Sequence, residues 1–123
     1  MKKILIVDDE PTIRESLKGL LGKTMPEVEV IDTGRPDKVL SIVQEHLPDL
    51  ILLDLMMPGV NGLQILKDLK NTNNKKIRKI PVVIITGIGN KQIYYKAKDM
   101  GALDCITKPI NEKILVMKIK RYV

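Results

Sequence analysis

Short apolar runs rich in β-formers recur along the chain, with stretches between them in which apolar residues return every three or four positions. The runs are KILIV at 3–7, VEVI at 28–31, LILLD at 50–54, VVIIT at 82–86 and LDCIT at 103–107. Runs of this kind, lacking the alternation of a half-wetted strand, mark strands buried on both faces. Between them, Ile13, Leu17, Leu20 and Leu21, then Val39, Leu40, Val43 and Leu47, then Leu63, Leu66 and Leu69 fall at helical spacing. Each group predicts a helix that lays an apolar stripe on a sheet. Pro11 and Pro36 suit first helical turns, Gly22 and Gly101 suit helix ends, and residues 111–122 read as a final helix. The polar, basic segment NTNNKKIRK at 71–79 reads as an exposed loop. The repeated alternation predicts an α/β fold, a doubly wound five-stranded parallel sheet with helices on both faces. In such a sheet all strands end on one edge, and ligands bind in the crevice beyond it.

A chain of 123 residues suits one domain spanning 1–123. With 44% hydrophobic and 29% charged residues it has globular rather than disordered character. Only four apolar residues separate Lys3 from Asp8, too few for a secretory or membrane-spanning segment, so a cytoplasmic protein without membrane contact is expected. Cys105 stands alone, which excludes an intramolecular disulfide and a cysteine-cluster zinc site. The net charge of +6 favours acidic partners. No helix-turn-helix, zinc-finger or aromatic RNA-binding pattern accompanies it, which argues against DNA binding by this domain.

Polar residues follow four of the strands: Asp8 and Asp9 after the first, Asp54 at the end of the third, Thr86 at the end of the fourth and Lys108 just beyond the fifth. Each has a plain alternative, since Asp8 or Asp9 suits a helix cap, Thr86 is a good strand former and Lys108 suits solvent. Together they make a different pattern. Carboxylates brought to one edge repel by roughly 1 kcal/mol per pair at 4 Å in water, and by about 4 at an effective dielectric of 20. A hard cation with oxygen ligands offsets that, and Mg²⁺ typically uses one or two carboxylates, waters and phosphate oxygens. Lys108 adds a second cation. That combination serves phosphoryl transfer, in which charge spreads over three equatorial oxygens, with Asp54 as the nucleophile.

The segments IVDDEP, LILLDLMMPGVNG, VVIITG and ITKPI, in this order and spacing, resemble the pattern of response-regulator receiver domains of two-component signalling. The resemblance covers essentially the whole chain and implies a (βα)5 flavodoxin-like receiver fold. It further implies that Asp54 is the phosphoacceptor, served by a sensor histidine kinase or a histidine phosphotransfer protein. Asp9, Asp54 and the backbone carbonyl of Met56 would ligate Mg²⁺, with Mn²⁺ as an alternative, and Asp8 would help through bound water. Lys108 would pair with a phosphoryl oxygen, and the Thr86 hydroxyl would turn inward to meet another. The Lys108–Pro109 peptide would be cis. The protein would be a phosphorylation-dependent switch rather than an enzyme with an external substrate. Its switching face would comprise the fourth helix, fifth strand and fifth helix, with homodimerisation on phosphorylation a candidate consequence. The output domain or protein would lie outside these residues.

The chain departs from that pattern at Cys105, where relatives carry the Tyr or Phe that swings inward with the threonine, so switching is expected to be muted or differently wired. Gly87 replaces the more usual alanine after Thr86. Met56 and Ile88 flank the site, and apolar side chains there cannot orient water, so slow self-dephosphorylation is expected. His46 reads as a helix-end residue. Tyr94 and Tyr95, with Lys91, Lys96 and Lys98, read as a solvated helix face or a basic partner surface. Lys75, Lys76, Arg78 and Lys79 read as a solvated charge run. A phosphatase of the haloacid-dehalogenase type also uses a strand-end aspartate with Mg²⁺. It needs a second aspartate two residues on, and Met56 stands there.

Overall fold

The computed structural model of the chain describes residues 1–59, 61–87 and 91–123; Ile88 therefore lies outside the described residues. The strands are β1 (Lys3–Val7), β2 (Glu29–Thr33), β3 (Leu50–Asp54), β4 (Val82–Thr86) and β5 (Asp104–Thr107). The α-helices are α1 (Pro11–Thr24), α2 (Val39–His46), α3 (Gly62–Asn71), α4 (Lys75–Arg78), α5 (Lys91–Asp99) and α6 (Glu112–Tyr122), and a 3₁₀ turn, Pro36–Lys38, leads into α2. All pairings are parallel and the order across the sheet is β2-β1-β3-β4-β5.

Strand alternation divides the core in two. Leu5, Val7, Ile51, Leu53, Val82 and Ile84 face α2, α3 and α5 through Val43, Leu66, Leu69 and Ala97. Ile4, Ile6, Leu50, Leu52, Val83 and Ile85 face α1 and α6 through Leu17, Leu21, Leu115 and Ile119. Every residue of β3 and β4 is buried, which is why those strands are continuous apolar runs. The chain winds from β1 outward to β2, then crosses to β3 on the other side of β1. The ends of β1 and β3 meet at that switch point, which gives an α/β sheet its ligand crevice.

Several local readings need correction. Residues 71–79 are not a plain loop, because Asn74 caps α4 through its side chain, accepting from the Lys76 and Ile77 amides, and Ile77 is buried. Gly22 lies inside α1, which continues to Thr24. Leu40 and Leu47 do not join the buried stripe of α2. Val39 and Val43 carry it, while Leu40 is exposed and Leu47 ends the helix with φ of 45°. The edge strand β2 runs to Thr33 rather than Ile31, and β5 starts at Asp104 rather than Leu103. Asn111 caps α6 rather than opening it.

Candidate functional site

β1 delivers Asp8 and β3 delivers Asp54 from neighbouring strands, because Val7 pairs with Leu53. Both carboxylates are completely buried. Lys108, beyond the end of β5, reaches back to donate to Asp54 Oδ2 at 3.0 Å, and its ammonium lies 3.7 Å from Asp8 Oδ2. The Lys108–Pro109 peptide is cis. The Lys108 amide donates to the Thr86 carbonyl at 2.8 Å, which ties the β5 end to the β4 end. Asp54 Oδ1 accepts from the Met56 amide at 2.8 Å, so the Asp54 carboxylate is held at both oxygens.

Among the described residues, two buried side-chain polar atoms lack hydrogen-bond partners: Asp8 Oδ2 and Thr86 Oγ1. Burial drives the Asp8 carboxyl up from 3.8 to about 6. The hydrogen bond from the Glu10 amide opposes that rise, the Asp54 charge adds to it, and Lys108 opposes it. For Lys108 burial acts downward, yet its hydrogen bond to Asp54 and the charges of Asp54, Asp8 and Glu10 together hold it above its ordinary value. One ammonium thus faces several carboxylates, and the arrangement can take further positive charge.

Asp8, Asp9 and Glu10 each offer a carboxylate oxygen, all within 4.8 Å of one another. These are hard oxygen donors of the kind Mg²⁺ takes, and Asp8 Oδ2 accepts no hydrogen bond, so the residues fit a divalent cation. Glu10 is the member that motif reading passed over; it lies 3.7 Å from Lys108, and its sequence signal is a third acid directly after the pair. Arg14 and Gly34 carry no such sequence signal. Arg14 donates to the Asp8 carbonyl at 2.6 Å and to Asp32 at 2.9 Å, bracing the end of β1 against β2. A Cβ at Gly34 would run into the Arg14 guanidinium. Nothing local in the sequence marks that pair.

Of the other singled-out residues, Met56 is 47% exposed, and its side chain lies over Gly87, where an added Cβ would sit 3.5 Å from Met56 Cε. Cys105 is half-buried on β5 with its thiol held up by burial, an effect the Lys118 charge opposes. His46 ends α2 beside Glu45.

The profile of the response regulator receiver domain matches residues 4–120. This chain belongs to that family. The receiver is 40% identical over 119 residues to the phosphate regulon transcriptional regulatory protein PhoB of Escherichia coli, covering 97% of this chain and 50% of that one. The chain thus spans about half the length of PhoB. It is 34% identical over 119 residues to Protein PilH of Pseudomonas aeruginosa, covering 97% and 95% of the two chains. Among solved structures, the receiver domain of NtrX from Brucella abortus superposes with a TM-score of 0.85 at 32% identity, covering 97% of this chain and 96% of that one. Vibrio cholerae chemotaxis protein CheY4, at 24% identity and a TM-score of 0.88 over 100% of this chain and 99% of that one, shares the fold. The receiver therefore has the flavodoxin-like (βα)5 architecture of two-component response regulators. Among the described residues no helix is long and apolar enough to cross a membrane.

Proposed function

We propose that this receiver takes a phosphoryl group on Asp54 from a phosphohistidine of a sensor kinase or phosphotransfer protein. The observation that carries the reading is the position of Lys108, whose ammonium is 3.0 Å from Asp54 Oδ2 and 3.7 Å from Asp8 Oδ2. A buried nucleophilic carboxylate, a fixed cation and a second buried carboxylate meet at one point. An Asp54 oxygen attacks phosphorus, the histidine N–P bond breaks, and the imidazole takes up a proton as it leaves. Lys108 then follows the charge from the carboxylate to a phosphoryl oxygen. The buried Thr86 hydroxyl, without a partner in the unmodified protein, gains an acceptor.

Asp9, Asp54 and the Met56 carbonyl would hold Mg²⁺, with Asp8 helping through bound water. When bound, the ion supplies charge that offsets the repulsion between the carboxylates and the incoming phosphoryl oxygens. A mostly apolar groove of about 330 Å³, lined by Ile13, Leu17, Leu20, Pro109 and Ile110 and bordered by Lys108, lies beside the site and suits an apolar stripe on the donor. The Met56 side chain, which lies beside Gly87, is apolar and cannot orient an attacking water, which supports slow self-dephosphorylation.

Incubation with acetyl phosphate and Mg²⁺ followed by intact-mass measurement tests this. Wild type should gain one phosphoryl mass and Asp54→Asn none. Equal modification of the two would reject Asp54 as the acceptor.

A further inference from the structure

A groove of about 330 Å³ opens beside Cys105, on the side of Thr86 facing α5. Thr86, Gly87, Tyr94, Cys105 and Lys118 all line it. Cys105 is small, so the space in front of this β5 position is left unfilled. Thr86 is 1% exposed, lines the groove and has a hydroxyl with no hydrogen-bond partner. Tyr94, on α5, is half-buried and packs against the same core cluster as Cys105. Its ring leans on Tyr95, with centroids 5.3 Å apart and planes tilted by 44°. Lys118 donates to Asp104 Oδ1 at 3.0 Å and to the Cys105 carbonyl at 2.6 Å, so the groove has a stationary cation at its wall.

These features suit the groove to an aromatic ring. Any withdrawal of Thr86 toward Asp54 enlarges the space, and the atoms lining a void lose dispersion contacts that a neighbouring ring restores. A tyrosine ring brings a large apolar area, a hydroxyl to pair with a buried polar group, and a face that attracts a fixed ammonium. Tyr94 is the aromatic residue at the wall. We propose that Tyr94 is the positioning residue that couples Thr86 to α5, its ring moving into the groove over Cys105 when the Thr86 hydroxyl is drawn to a phosphoryl group on Asp54. The coupling rests on Asp54 being the phosphoacceptor, and it gives α5 a reason to shift with the state of the site.

The test uses the whole chain labelled with 3-fluorotyrosine, whose three tyrosines are assigned by Tyr→Phe variants. Fluorine spectra are recorded before and after adding Mg²⁺ and beryllofluoride, whose own bound resonance reports the adduct. The Tyr94 resonance should shift with adduct formation, and Tyr94→Ala should weaken beryllofluoride binding by about tenfold, within the usual range for coupled sites. Cys105→Phe fills the groove from β5 and adds no tyrosine signal, so the adduct should form while Tyr94 stays put. A wild-type adduct with an unmoved Tyr94 resonance overturns the coupling and leaves the acceptor reading standing. So does a Tyr94 shift in Cys105→Phe as large as in wild type. Failure to form any adduct overturns both.

Discussion

Replacing Asp8 by Asn removes a buried charge while keeping the side chain's shape and the acceptor for the Glu10 amide, 2.9 Å away. The magnitude follows from the carboxyl's rise from 3.8 to about 6. At about 1.4 kcal/mol per pH unit, the ionised form is disfavoured in the folded protein by at most about 3 kcal/mol. Asp54 and Lys108 share in that interaction, so a gain of about 1–2 kcal/mol is expected for the metal-free variant at neutral pH, or roughly 4–8 °C in Tm for a domain of this size. The sign runs with pH in a defined window. Below the unfolded value Asp8 is protonated in both states and the variant has no advantage. Between the unfolded value and about 6 the unfolded chain ionises first, so wild type loses stability as pH rises. Above that window the gap is full. Circular-dichroism melts of both proteins without metal, from about pH 4 to 7.5, measure it. Mg²⁺ at ten times its dissociation constant should then stabilise wild type by about 1.4 kcal/mol and the variant by less. A variant that melts at or below wild type at pH 7.5, or a gap that does not change across the range, refutes the reasoning.

Lys108→Ala strips the cation from two buried carboxylates and should cost about 2 kcal/mol at pH 7, less near pH 4.5, as measured by urea unfolding at both values. Gly34→Ala places a Cβ against the Arg14 guanidinium and within 3.3 Å of the Asp8 carbonyl. It should cost about 1–3 kcal/mol, and the loss should be strongly non-additive with Arg14→Ala in a double-mutant cycle. Ile77→Ala, at a side chain 2% exposed in the short α4, should cost about 2–4 kcal/mol in urea unfolding, whereas a residue of an open loop would change stability by under about 0.5.

The elements most legible in the sequence were those whose environment is uniform along their length. β3 and β4 are buried throughout, and the apolar runs at 50–54 and 82–86 end where those strands end. β2 lies at an edge with no buried residue, so its apolar signal stops before its backbone pairing does. α4 is anchored by Ile77 alone, which leaves no periodicity to read among its lysines and arginine.

The same division holds at the site. By itself the sequence determined the parallel α/β plan, and with it which side chains arrive at the carboxyl edge, since strand period and parallel pairing place Asp8, Asp54, Thr86 and Lys108 there. Only the tertiary structure decided which of them touch. Lys108 meets Asp54 across 54 residues of chain, Arg14 ties the Asp8 carbonyl to Asp32, and the Cys105 groove is walled by Tyr94 from α5. Periodicity records which face of an element is dry. The distance between groups on separate elements is set by how whole layers pack, and no local stretch of residues carries it.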